Sequence, residues 1–404
     1  MRGHSPVLRG APLALALVLA ASLAPAQAAG HGAARTARSG GAAAGVAATG
    51  SKRPTHRPSY VPRIRHVFVI NIENKGYAET FGEGSESPYL AGRLRKKGVL
   101  LNNYYATAHN SLPNYIAQIS GQAPNVQTQS DCPFYSRFVV SGPAVAPGHQ
   151  AAGSGCVFPQ GVRSLPRQLT HVRLSWKGYM QQMPKPCSHP KLGHRDPTRL
   201  ARPHHNYAVR HNPFMYFRSV TSRHAYCKRH VRPLADLERA LAKRKRTPNL
   251  AYISPDLCRD GHDDPCANGK KGGLRQVDKF LQEWAPRILR SPAFKRNGML
   301  IVTADESDSP VEDSSACCGE SENPGPNLML GTGPGVLGPG GGRIGALVIS
   351  HFTRPNTWST TPYNHYSLLG SLEEIFRLRK LGMARLPDLP VFGLDVYNDG
   401  WWHD

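Results

Sequence analysis

Acids and amides recur in this chain where apolar runs stop. Glu73-Asn74 follows "HVFVINI", Asp305-Glu306 follows "GMLIVTA", and Asp260 with His262 comes shortly after "NLAYIS". Oxygen donors with an occasional imidazole suit a divalent cation such as Mg²⁺, Ca²⁺, Mn²⁺ or Zn²⁺. A cation held there would polarise a phosphoryl oxygen and lower the pKa of a bound hydroxyl. The hydroxyl on offer is Ser111, in "HNSLPNYIAQISG". Pro113 is at home in a first helical turn, and Tyr115, Ile116 and Ile119 give the apolar pattern behind it. Backbone N–H groups and the helix dipole favour an anion at that end. On this segment alone Ser111 reads as an ordinary N-cap; set beside the strand-end acids it reads as a nucleophile. Asn114 is a candidate donor to a phosphoryl oxygen. His109 suits a phosphate contact or proton transfer as well as a structural hydrogen bond, and His365 is a candidate to face the same site.

The elements that must position these groups are legible as short runs rich in Val, Ile and Tyr. Strands are expected over 66–72, 98–105, 249–254, 298–304 and 345–350. Between them "SPYLAGRLRKKG", "SLPNYIAQISG", "VDKFLQEWAPRIL" and "HYSLLGSLEEIFRL" read as helices. This alternation predicts an α/β fold with a mostly parallel sheet, whose ligands bind beyond the carboxyl ends of the strands. A single domain over 63–404 is expected, with an insertion at about 130–235. Eight cysteines, an even count, suggest disulfides, Cys258 with Cys266 being a plausible local pair. His204, His205 and His211 fall in an Arg- and Pro-rich excursion between Cys187 and Cys227, with no diagnostic metal-ligand spacing. That excursion reads as a disulfide-braced cap or insertion shaping substrate access.

Five motifs in order resemble one family: "VINIENKGYAETFG", "HNSLPNYIAQISG", "CRDGHDD", "IVTADES" and "NHYSLLGSLEEIFRL". They are similar to the bacterial secreted phosphoesterases, a group of exported acid phosphatases and phospholipases C, over roughly His66 to Leu381. The resemblance implies an alkaline-phosphatase-like fold, a mostly parallel central sheet with helices on both faces. It implies a metal site of one or two ions built from Glu73, Asn74, Asp260, Asp305, Glu306 and the Ser111 oxygen. Ser111 would be the nucleophile, Asn114 a phosphate contact, and His262 and His365 the accompanying histidines. Two-zinc relatives have a histidine where this chain has Glu306, a departure that makes a single metal ion plausible. Lys75-Gly76-Tyr77-Ala78 departs from the phospholipase C pattern and places the chain nearer the acid phosphatases.

The expectation is a secreted, metal-dependent phosphomonoesterase working through a phosphoserine. The alternatives are a phospholipase C-type phosphodiesterase and a non-catalytic protein that binds polyanions. Secretion is expected because residues 1–28 pair Arg2 and Arg9 with a short apolar run and an Ala-Gln-Ala cleavage pattern. Residues 29–62 read as a disordered Ala/Gly/Arg/Pro-rich leader. Residues 1–65 hold nine Lys or Arg and no acid, which leaves +14 of the formal +23 to residues 66–404. Such basicity favours an anionic membrane or cell-wall surface, with a phosphate ester as substrate and nucleic acid not expected.

Overall fold

The computed structural model describes residues 60–319 and 339–398. The expected signal peptide and nearly all of the expected leader lie outside them. Eight strands form the main sheet: β1 His66–Ile72, β2 Val99–Leu101, β3 Trp176–Met180, β4 Val231–Pro233, β5 Leu250–Ser254, β6 Gly298–Ala304, β7 Ala346–Ser350 and β8 Thr357–Ser359. Their order is β8-β2-β7-β6-β1-β5-β3-β4. β7 runs antiparallel to both neighbours, and every other pairing is parallel. The mostly parallel α/β sheet read from the sequence is therefore present.

All seven residues of β1, all five of β5 and all seven of β6 are buried. Continuous apolar runs are what a parallel sheet covered on both sides requires, and each buried Val or Ile contributes about 1.5–3 kcal/mol. An aspartate at Ile70 would place an unpaired charge at the centre of this layer.

One expectation changes. The run 98–105 is not one strand: Val99–Leu101 joins the main sheet, while Tyr104–Tyr105 pairs separately with Tyr363–Asn364. Residues 130–235, expected as an insertion, take part in the main sheet. They add β3 and β4 to the sheet edge, and Trp176 packs there against Phe214 and His230. These short strands lack the long β-branched runs that betray β1 and β6.

Four disulfides occur: Cys132–Cys156, Cys187–Cys227, Cys258–Cys266 and the vicinal Cys317–Cys318. Cys187–Cys227 closes 40 residues of the basic segment, restricting the unfolded chain by about 4 kcal/mol on the chain-entropy view. No described helix is long and apolar enough to cross a membrane.

Candidate active site

Three strands end at one place, and backbone hydrogen bonds stitch their exits together. The N–H of Glu73, after β1, donates to the carbonyl of Asp260 at 2.7 Å. The N–H of Asp305, after β6, donates to Ile72 at 3.1 Å, and that of Lys75 to Glu306 at 2.9 Å. Glu73, Asp260, Asp305 and Glu306 are all buried. The strand-end acids singled out by the sequence are thus brought together, the carboxyl edge of a parallel sheet being where side chains from separate strands converge.

Ser111 is the first residue of the helix Ser111–Ser120, preceded by Asn110 at φ +71° and closed by Gly121 at φ +66°. A Cβ at Gly121 would lie 2.6 Å from the Leu381 carbonyl, so both the left-handed turn and the close approach call for glycine there. Ser111 does not cap this helix. The Asp131 carboxylate accepts from the Leu112 N–H at 2.8 Å, and the Ser111 hydroxyl donates to Glu73 Oε2 at 2.9 Å. Glu306 Oε1 stands 3.5 Å from the same hydroxyl. The Tyr115 hydroxyl, one turn on, donates to Glu73 Oε1.

A residue left undecided by the sequence completes the group. His211 is buried, its Nδ1 lies 3.1 Å from Asp260 Oδ2, and its ring stacks on Tyr115. With Nδ1–H donating to Asp260, Nε2 presents its lone pair 3.3 Å from Glu73 Oε2, without hydrogen-bond geometry. No spacing rule links position 211 to 73 and 260; only the fold of the 130–235 segment brings them together. Arg210, also buried, points its Nη2 at His262 Nε2 at 3.0 Å and its Nε toward Asp131 at 3.7 Å.

The electrostatics call for a cation. Burial, then the charges of Asp305 and Asp260, push the Glu73 carboxyl well above the usual range. Burial does the same to Asp260, and it raises Asp305. Glu306 is pushed up to about 8, by burial first, against the opposing hydrogen bond from His109. Burial, with Arg210 and His262 nearby, holds His211 well below the usual imidazole range and keeps it neutral. Asn74 Oδ1, Asp305 Oδ2 and His211 Nε2 are buried acceptors with no hydrogen-bond partner among the described residues. Glu73, His211 and Asp260 each offer a ligand atom within 4.8 Å of the others. Neutral imidazole, carboxylate and amide oxygens that lack donors fit a divalent metal ion.

Other candidates have different places. The Asn114 side chain accepts from Thr107 and Ala108 and donates to the Ala108 and Asn110 carbonyls. It fixes the turn before Ser111 and has no capacity left for a phosphoryl oxygen. His109 lies between two acceptors, Glu306 Oε2 and the Asp313 carbonyl, each at 2.9 Å. Burial lowers its pKa, but the Glu306 hydrogen bond and charge outweigh this and the net direction is up. Glu306 also accepts from the Asn110 N–H at 2.7 Å, so it braces the Ser111 turn and does not join the Glu73–His211–Asp260 group. His262, about a third exposed at the rim, has both ring nitrogens engaged, by Asp263 and Arg210. His365 does not face the acids' open side. Wholly buried, it donates from Nε2 to the Asp305 carbonyl at 2.6 Å, with Tyr104 and Gln118 at Nδ1. Burial holds its pKa down at about 4, so it is a neutral support for Asp305.

Residues 86–379 match the Phosphoesterase family. The chain is 25% identical over 290 residues to a phosphate-repressible acid phosphatase of Penicillium chrysogenum, covering 72% of this chain and 55% of that one. It is 24% identical over 330 residues to a phosphatidylinositol-3-phosphatase of Mycobacterium tuberculosis, covering 81% of each. It spans only about half the length of the fungal acid phosphatases it matches. Among solved structures, an alkaline phosphatase superfamily protein from Vibrio parahaemolyticus is similar at 12% identity and a TM-score of 0.45, over 82% of this chain and 72% of that one.

Proposed function

The chain belongs to the phosphoesterase family, and on that premise we propose that it is a metal-dependent phosphomonoesterase with Ser111 as its nucleophile. One observation carries the reading: the Ser111 hydroxyl, at the start of a helix, donates to Glu73 inside a group of buried carboxylates whose charges a bound cation would balance. Glu73, His211 and Asp260 would hold the ion, with Asp305 Oδ2 and Asn74 Oδ1 as further oxygen donors. When bound, it supplies Lewis-acid stabilisation of the phosphoryl oxygens.

The chain's own groups account for the rest. The Ser111 proton leaves along its hydrogen bond to Glu73 Oε2 as the oxygen attacks phosphorus in line. The P–O bond to the alcohol breaks, and that oxygen takes a proton from solvent water at the rim beside His262. Water then attacks the phosphoserine, breaks the Ser111 O–P bond and restores the hydroxyl. The Asn114 and Glu306 contacts keep the turn in place throughout, and such positioning is much of what this kind of transfer needs. Secretion of the mature chain, and its organisation as one domain over 63–404, belong to the same proposal. Both fit the four disulfides, which persist in oxidising compartments.

The test is hydrolysis of a chromogenic phosphomonoester by wild type and Ser111→Ala, with and without chelator. Equal rates for the two proteins would sink the nucleophile assignment; indifference to chelator would sink the metal. Diacylglycerol release from phosphatidylcholine in excess of monoester turnover would move the assignment to a phospholipase C-type phosphodiesterase.

A further inference from the structure

Positive charge is concentrated in one part of the folded chain. Residues 130–235 hold 16 Lys or Arg against two acids, Asp131 and Asp196, while the rest of residues 66–404 holds 25 of each. The framework is neutral, and the whole +14 lies in the segment that supplies His211 and Arg210. Within it, the stretch 185–205 is the most exposed basic part. Lys185, Lys191, Arg195 and Arg202 face solvent, and no carboxylate pairs with them among the described residues. The stretch's one acid, Asp196, is buried and accepts from Thr198. The exposed ionisable side chains of the stretch are cations and imidazoles alone.

The same stretch exposes apolar side chains, Leu200 at 81% and Leu192 at 41%. An antiparallel bridge to Arg195 sets Phe134, 49% exposed, beside them, with the Arg195 guanidinium 4.9 Å over its ring. A surface that met only a soluble polyanion would gain little from leucines and a phenylalanine in water. Unpaired cations interleaved with protruding apolar groups suit a lipid interface, where headgroup charge attracts the cations and the acyl boundary takes up the apolar groups. The stretch also adjoins the site. Arg210, whose guanidinium meets His262 at the rim, donates to the Arg199 carbonyl at 3.0 Å, and the Leu257 N–H donates to the Asn206 carbonyl at 2.9 Å.

We propose that the stretch 185–205, with Phe134, is a docking surface for an anionic phospholipid bilayer that sets the rim of the Ser111 site against the headgroup layer. Docking is separable from hydrolysis, so the two fail separately. The full chain is co-sedimented with phosphatidylcholine vesicles with and without about a third phosphatidylglycerol, at low and high salt. The variants are Ser111→Ala, the triple charge reversal Lys191→Glu/Arg195→Glu/Arg202→Glu, and Phe134→Ser/Leu192→Ser/Leu200→Ser. Turnover of a soluble phosphomonoester by the two triple variants reports that they are folded.

Wild type and Ser111→Ala should bind the anionic vesicles equally and the neutral ones weakly. Charge reversal should lower the partition coefficient by about a hundredfold or more, what three lost cations at about 1 kcal/mol each predict. The apolar triple should lower it severalfold, most visibly at high salt where charge is screened. Absence of binding to anionic vesicles overturns the proposal. So does binding unchanged by charge reversal, which would put attachment in the basic leader. So does loss on charge reversal alone with equally tight binding to soluble polyphosphate, which would identify a polyanion site.

Discussion

The strand-end framework and the 130–235 segment contribute opposite things to the same few cubic ångströms. The framework is electrically neutral overall yet gathers Glu73, Asp260, Asp305 and Glu306 at its carboxyl edge. The segment has almost no acids and delivers a neutral imidazole, His211, and a buried guanidinium, Arg210. Neither is a sufficient metal site: the carboxylates alone repel one another, and His211 alone has no oxygen partners. The difference is that the framework supplies an acidic floor, and a basic wall held by β3, β4 and two disulfides brings His211 and Arg210 against it.

Breaking the floor should cost most. Ser111→Ala should lower kcat/KM by at least about a thousandfold with the fold intact, measured by steady-state hydrolysis of a phosphomonoester. Breaking the wall should cost less and show first in metal. His211→Ala should lose about 10- to 100-fold in metal affinity, read as metal per chain after dialysis and as activity restored by added metal. Equal metal retention would confine His211 to packing on Tyr115. The tie between the two regions is Asp131, a residue of the segment that caps the Ser111 helix. Asp131→Ala should lower stability by about 1 kcal/mol, visible as a fall in Tm of a few degrees.

The smallest effect sharpens the framework side by itself. Glu373, buried in the helix His365–Ile375, has its pKa raised well above the ordinary value of 4.5, by burial first and against the pull of Lys380. The folded chain therefore holds this proton more tightly than the unfolded one. Its stabilising contribution is complete below pH 4.5 and is lost as pH rises through the raised folded value. Glu373→Gln keeps a neutral side chain at all pH. It should show a higher Tm than wild type at pH 7, by a few degrees, and equality near pH 4; a lower Tm throughout would mean that the ionised carboxylate is the favoured form.

Much of this was legible before folding. Apolar runs ending in acids marked β1, β5 and β6 and the floor they carry, because a fully buried parallel strand must be apolar throughout and its polar successors must sit at the exit. The helix Ser111–Ser120 announced itself through Pro113 and the apolar pattern behind it. Less visible were β3, β4 and β8, short strands at or toward the sheet edges whose sequences carry mixed residues. The roles of histidines and amides were least visible. His109, His211, His262 and His365 are alike in sequence, yet the structure makes one a brace for Glu306, one a candidate ligand, one a rim residue and one a support for Asp305. Asn114 looks like a phosphate donor until its five hydrogen bonds to the turn are counted.

The sequence by itself determined which residues can end a buried strand and which can start a helix, since those choices depend on local periodicity, burial and backbone geometry. Only the tertiary structure decided that Ser111 points at Glu73 while Asp131 caps its helix, and that His211 crosses 49 residues of chain to meet Asp260. A metal or phosphate site is a set of directions in space, and directions between distant residues exist only once the strands, disulfides and buried hydrogen bonds have fixed them.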